Sequence, residues 1–586
     1  MDRQTFLLDF PERAVSWQKL LPYAVLLSVT LALYGSTVYF NFVWDDGYYI
    51  GKNYRVQGLS LDHLRAIWTQ SFMGHFAPMH LTALAVLHAV FGMEPFGYHL
   101  GQVLLHAACV CLLYFALCKM ESPRIAFVTS LLFAVYPPNI ETVAWVSETK
   151  STLAFLFFLL SLLFFLRLRE HGGWREGVLC GVFLVLSMLS KVNTVVAPAI
   201  FLLWDYQQGE HLKKERLRSL AVFFLISVAF VGVHLASFYR PGQLARGAGY
   251  YGSLGVHLLN MPQLVWFYVR MILVPYPLSA YHMFRVYEAW HWVLAVAWIG
   301  LAGLLFLLSR RHRTAQFWGL WFLVFLAPVL QIFPFPIWVA DRYLYIPAIG
   351  AFVLLSKGLF WTLDRIENRI EGRSAAWGLE FAMGAILLLL AWQTHAHLPV
   401  WRENLTLWEA TTQTCDTSPY CHASLSAAFF ENGQTERGMQ EAIRAVELNE
   451  SAQYLTQLGD AYTQYAHDYR QALIAYHLAL PKAPVSIQAE LLGKLARTYV
   501  LTGNLQDARR ALEAGLASNP RDSSLWVVKT FLEWGEGNLP EARRSLDRAL
   551  LLADGPPDVG VFLLVNWSNA RDVGKLLAAL QSAADQ

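Results

Sequence analysis

Apolar runs about 20 residues long recur from Leu20 to about Leu398. Each is long enough to cross a bilayer as a helix. Backbone in lipid must satisfy its own polar groups, and a helix does so internally. The pattern therefore predicts an all-α, polytopic domain of about 11–13 membrane helices over residues 1–398. Composition agrees: 56% of residues are hydrophobic and 15% charged, against the ~25% charged of soluble domains. A formal net charge of +2 and the lack of a basic block point away from nucleic acid. The first run, Leu20 to Phe40, is about twice a signal-peptide core and lacks a small-residue cleavage site, so it reads as retained.

Two runs depart from a simple crossing. His75 to Phe91 carries His75, His80 and His88 and is expected to lie in the interface or to cross. Met261 to Met283 contains Pro275 and Pro277, which predicts a broken or re-entrant segment. Basic residues mark alternate loops: Lys119/Arg124, Arg167/Arg169/Arg175, Lys213/Lys214/Arg216/Arg218, Arg310/Arg311/Arg313 and Arg365/Arg369/Arg373. By the positive-inside rule these are cytoplasmic. The loop after the first span, the Pro137-Pro138 loop, Ser190-Lys191 and Pro334 to Arg342 then share the opposite side. So does the C-terminal third.

After Leu398 the composition turns to alanine, glutamate, arginine and leucine, and a period emerges. GNLQDARRALEAGLA (Gly503 to Ala517) recurs as GNLPEARRSLDRALL (Gly537 to Leu551), offset by 34 residues. Weaker copies lie upstream, and Ala442, Ala472, Ala508 and Ala542 hold one small position. A 34-residue helix–turn–helix period is that of the tetratricopeptide repeat, in which stacked pairs share a core no single pair can bury. Residues 399–586 are expected to form an α-solenoid. Cys415 and Cys421, six apart in this polar segment, suit a disulfide in an oxidising compartment, with two lone thiols as the alternative. Cys109, Cys111, Cys118 and Cys180 sit in apolar runs and read as packing residues.

Several chemistry-bearing residues stand at the ends of apolar runs. NFVWDDGYYI (Asn41 to Ile50) puts Asp45 and Asp46 among aromatic residues where the first span ends. Two solvated loop acids and a working acid pair are both open readings. Adjacent acids compete for one proton, so at least one pKa should be raised. Lys150 and Lys191 are charges beside apolar spans, which default to a functional hypothesis, although Lys150 can equally snorkel to the surface. Arg342 offers a planar donor for phosphate; an Asp341–Arg342 pair that fixes the loop is the alternative. Glu141 is a second acid, a candidate ligand for a divalent ion, or a helix-start charge. His99 and His106 suit packing. With no His/Asp cluster at ligand spacing, no metal is assigned.

In order, NFVWDDGYYI, MEPFGYHLGQVLLHA, FAVYPPNIETVAWVSETKSTLA, LSKVNTVVAPAIFLLWDY, VADRYLYIPAIG and the repeats resemble bacterial relatives of the transmembrane-and-tetratricopeptide O-mannosyltransferases, a GT-C glycosyltransferase family. The resemblance implies an inverting enzyme that moves a sugar from a polyprenyl-phosphate carrier to a protein hydroxyl. It places the chain in a bacterial inner membrane, N-terminus cytoplasmic and repeats periplasmic. Asp45, Asp46 and Glu141 are then the candidate catalytic acids. Lys150, Lys191 and Arg342 would bind the carrier phosphate, and His75, His80, Asp341 and Tyr343 the substrate. Implied partners are membrane lipid, the lipid-linked donor and an acceptor protein on the repeats. Where the family often has a histidine or basic residue before a proline, this chain has Ala77, flanked by His75 and His80. Two alternatives stay open: transfer of a preassembled glycan, or a non-catalytic membrane anchor for a repeat scaffold.

Overall fold

The computed structural model describes residues 17–210, 213–238, 254–286, 296, 299–300, 303, 312–332, 337–367, 373–553, 559–567 and 569–582. Among them every regular element is helical, and the one β contact is an isolated bridge between Phe72 and His75. The apolar run from Trp290 to Leu308 lies largely outside the described residues, as do Arg310, Arg311, Arg369, Pro334 and Phe335.

The membrane part begins with α1 (Trp17–Tyr34), α2 (Leu61–Thr69), α3 (Pro78–Phe91), α4 (Pro95–Met120), α5 (Pro123–Val135) and α6 (Asn139–Ala144). It continues with α7 (Thr149–His171), α8 (Trp174–Ser190), α9 (Ala197–Gln207), α10 (Lys214–Phe238), α11 (Leu254–Leu273), α12 (Arg313–Leu326), α13 (Ala348–Glu367) and α14 (Arg373–His397). Among the described residues five segments are long and apolar enough to cross a membrane: Gln18–Tyr39, Pro95–Met120, Val146–His171, Lys214–Ala236 and Trp377–Trp401. The chain is thus a multi-pass membrane protein. With 14 residues, α3 spans about 21 Å, short of a hydrocarbon core of about 30 Å. Ahead of the two prolines, α11 stops at Leu273, and 274–286 is not helical.

An aromatic core joins these helices. Trp321 and Phe325 of α12 pack on Phe158 of α7, and Trp321 also packs on Trp318 and Phe325, with ring centroids 5.0–5.6 Å apart. Gly350 lets α13 close on α12, since a Cβ there would lie 2.4 Å from the Trp318 carbonyl oxygen. The two ends of α7, about 34 Å apart, carry different chemistry. At the C-terminal end Arg169 and Arg216 share the buried Asp205 at 2.8 and 2.9 Å. Near it in character, Lys357 and Trp318 both donate to Glu121. The N-terminal end of α7 carries the site described below.

After α15 (Asn404–Thr414) the helices form antiparallel pairs, beginning with α16 (Pro419–Glu431) and α17 (Thr435–Leu448) around the Gly433 turn. The 34-residue copies share the same turn and cap. Gly503 and Gly537 turn the chain at φ +76° and +78°, a conformation open to glycine at little cost. Asn504 and Asn538 then cap the helices Leu505–Ser518 and Leu539–Leu552, accepting from the backbone N–H three residues on. Ala508 and Ala542 are fully buried where the paired helix passes closest. Cys415, at the end of α15, and Cys421, in the first turn of α16, are disulfide-bonded with Cα atoms 6.4 Å apart.

Candidate functional site

Four chain segments distant in sequence meet at one end of the bundle. They are the loop after α1, the α6–α7 junction, the break between α8 and α9, and the short turn Asp341–Leu344. Extended residues at Phe40, Trp145 and Lys191 break the helices there, so polar side chains gather at helix ends.

Glu148 is the hub. Its side chain is 1% exposed, with Lys191 Nζ at 2.8 Å, Lys150 Nζ at 3.3 Å and Arg342 Nε at 3.6 Å. The Ser151 hydroxyl donates to Glu148 and accepts from Lys191 Nζ at 2.7 Å. Arg342 is also held by Glu141: its backbone N–H donates at 2.7 Å and its guanidinium pairs with the other oxygen. Buried charges persist where they are paired and hydrogen-bonded, and here three cations share two carboxylates. The excess is positive, and Lys150 and Lys191 keep 13% and 17% of their side chains exposed. Aromatic faces complete the wall. Trp44 stacks on Trp145 at 4.5 Å. The Arg342 guanidinium lies 5.1–5.7 Å from the rings of Tyr343, Trp145 and Trp44, and Lys150 lies 5.2 Å from Tyr49.

The two adjacent acids are not equivalent. Asp46 is fully buried and accepts from Ser147 N–H at 2.7 Å, Ser147 Oγ at 2.5 Å and Val43 N–H at 3.1 Å. It fastens the first loop to the turn before α7. Burial pushes its pKa up to about 7, although these hydrogen bonds favour the charged form. Asp45 is half-buried, and among the described residues its carboxylate takes no hydrogen bond or ion pair. Burial raises its pKa as well, opposed by the charges of Lys150 and Arg342. A carboxylate with a free lone pair, a raised pKa and cations nearby is suited to accept a proton near neutral pH.

The remaining sequence candidates divide. Asp341 faces away from Arg342: His282 Nε2 lies at 2.7 Å from it and Ser279 N–H at 3.3 Å, so it braces the 274–286 segment. Tyr343 lies under the Arg342 guanidinium. His80 is buried, its ring 5.2 Å from Tyr49, and both ring nitrogens lack a hydrogen-bond partner. His75 is exposed, pairs with Phe72 through backbone hydrogen bonds, and lies 6.3 Å from the His234 ring. His106 bonds the Tyr345 hydroxyl at 2.7 Å inside the bundle. Sequence reading missed Glu148 as a centre, and with it Ser147 and Ser151. The usable signal was VSETK itself, where Glu148 stands two residues before Lys150. A cavity of about 30 Å³ is lined by Ser151, Lys191, Asn193, Arg342 and Tyr343, room for ordered water but not for a sugar phosphate. Among the described residues no group of three or more His, Cys, Asp or Glu is placed to hold a metal ion.

Residues 75–234 match the family model described as dolichyl-phosphate-mannose-protein mannosyltransferase. That window holds Glu141, Glu148, Lys150 and Lys191. A protein O-mannosyl-transferase of Caenorhabditis elegans is 23% identical over 455 residues, covering 73% of this chain and 62% of that protein. Protein O-mannosyl-transferase TMTC4 of Mus musculus is 25% identical over 498 residues, covering 71% and 64%. The chain is similar in sequence to these protein O-mannosyl-transferases. It spans under two thirds of the length of either relative. Among solved structures it is similar to ArnT from Cupriavidus metallidurans bound to undecaprenyl phosphate, at 16% identity over 83% of this chain and 81% of that one, with a TM-score of 0.36.

Proposed function

We propose that this chain transfers mannose, or a similar hexose, from a polyprenyl-phosphate carrier to a protein hydroxyl. The gathering of Lys150, Lys191 and Arg342 around Glu148 beside a free Asp45 carries the reading. Departure of the sugar breaks the bond between the anomeric carbon and the phosphate oxygen, leaving negative charge on phosphate. Preorganised cations stabilise that charge, and Lys191 and Arg342 line the small cavity where it would develop. The incoming hydroxyl forms the new C–O bond and passes its proton to Asp45. Attack from the face opposite the leaving phosphate inverts the anomeric centre. Asp46 and Glu141 hold the loop and Arg342 in place. Because the cavity is small, donor binding must part the Lys191 and Arg342 side chains.

In this reading residues 1–398 form the catalytic membrane domain, and residues 399–586 present the acceptor protein. We place the site on the periplasmic face, because Arg167, Arg169 and Arg216 stand at the far end of α7. The three basic side chains supply positive charge for the departing phosphate. The test is to incubate purified full-length protein with polyprenyl-phosphate mannose and candidate acceptor peptides, then weigh the peptides by mass spectrometry. A hexose increment on serine or threonine supports the proposal. No increment, or a whole oligosaccharide, contradicts it.

A further inference from the structure

Trp44, the residue before Asp45, has φ +54°. Left-handed backbone is uncommon for a bulky residue and persists where surrounding structure holds it. The groups holding it lie 360 and 376 residues away, at the start of α15 and in the first helix of the first repeat pair. Trp44 N–H donates to Asn404 Oδ1 at 2.7 Å, and its indole N–H donates to the Tyr420 hydroxyl at 3.0 Å. Asn404 is itself oriented by donating its amide N–H to Glu431 at 2.7 Å. The Trp408 ring packs edge-on to Trp44 at 5.5 Å and against Tyr420 at 5.7 Å. A backbone bond from Asn41 N–H to Arg402 C=O at 2.9 Å closes the same contact.

We infer that Tyr420 and Asn404 are positioning residues for the transfer site: the repeat domain fixes the strained Trp44 turn that presents Asp45. The indole so held stacks on Trp145 and lies near the Arg342 guanidinium, so the same two side chains set both the acid and one wall of the cationic cluster. The repeats are on this account part of the active centre as well as a surface for acceptors. The inference rests on the transfer reading for its kinetic consequence, but its structural content is independent of it.

The experiment uses the full chain in lipid nanodiscs, with Tyr420→Phe and Asn404→Ala. Tyr420→Phe keeps the ring packing and removes only the hydroxyl. Amide hydrogen exchange of the 41–52 segment is measured first and needs no activity. Both variants should exchange faster there, with exchange elsewhere and binding of undecaprenyl phosphate unchanged. With polyprenyl-phosphate mannose as donor, kcat should fall roughly 10- to 100-fold, as for a reacting group displaced by about 1 Å, with KM for the donor unaltered. Unchanged exchange at 41–52 in both variants overturns the inference. So does full kcat in a variant whose 41–52 segment does exchange faster. If wild-type protein transfers nothing, the transfer reading fails and the exchange result alone decides the positioning of Trp44.

Discussion

Lys191 and Glu148 meet at 2.8 Å although 43 residues separate them, one at the break between two apolar helices and the other at the start of a third. The pair gives a helical bundle a buried ionic centre at one end. Neither residue is neutralised by solvent, so each depends on the other and on Lys150 and Arg342.

Replacing Glu148 by glutamine should therefore act first on stability. It strands three cations with only Glu141 as counter-charge. Breaking a buried ionic network costs about 3–5 kcal/mol. Thermal unfolding in detergent should show a clear drop in midpoint, while binding of undecaprenyl phosphate, which gains from added positive charge, is retained. A midpoint equal to wild type contradicts Glu148 as the hub.

Lys191→Met should act on the carrier instead. Losing one charge-assisted hydrogen bond, about 1.5–3 kcal/mol, corresponds to a roughly 10- to 100-fold rise in Kd for undecaprenyl phosphate. Isothermal titration in nanodiscs reads this directly. An unchanged Kd removes Lys191 from the phosphate site.

The pH profile carries a signed expectation. Burial raises the Asp45 pKa above its ordinary value, and only the ionised acid can accept a proton. Transfer should fall as pH drops, with the acid limb of kcat/KM centred above the usual carboxylate range. A limb at or below pH 3.8, the unperturbed aspartate value, contradicts a buried working base.

In the core, Gly350→Ala places a methyl group against the Trp318 carbonyl oxygen. The neighbour is backbone, so α12 and α13 must separate. Overpacking of this kind costs about 1–3 kcal/mol, readable as a lower denaturation midpoint. No loss of stability shows that the two helices are not in close contact.

The helical class and the repeats were legible because both are periodic. A run of 20 apolar residues and a 34-residue recurrence are properties of the chain itself, and the Gly-Asn turns at 503–504 and 537–538 carry their own local chemistry. Cys415 and Cys421 stood out by compositional contrast. The site was legible only as a set of charged residues at helix ends. That Glu148 binds three of them depends on four segments converging, which no local pattern encodes. Asp45 and Asp46 look alike in sequence; Ser147, 101 residues beyond Asp46, makes the difference. The Asp341–Arg342 pairing suggested by adjacency gives way to His282, because side chains on neighbouring residues of the turn point apart. Asn404 and Tyr420 had no local signal at all, since their partner Trp44 lies at the other end of the chain.

The central claim is that Asp45 takes the acceptor proton. Its most direct test is Asp45→Asn in the full-length protein, assayed for hexose transfer from polyprenyl-phosphate mannose, with membrane insertion and undecaprenyl phosphate binding measured in parallel. Transfer should fall by at least ~100-fold, the scale of general base catalysis, with insertion and binding intact. Wild-type transfer by Asp45→Asn contradicts the account.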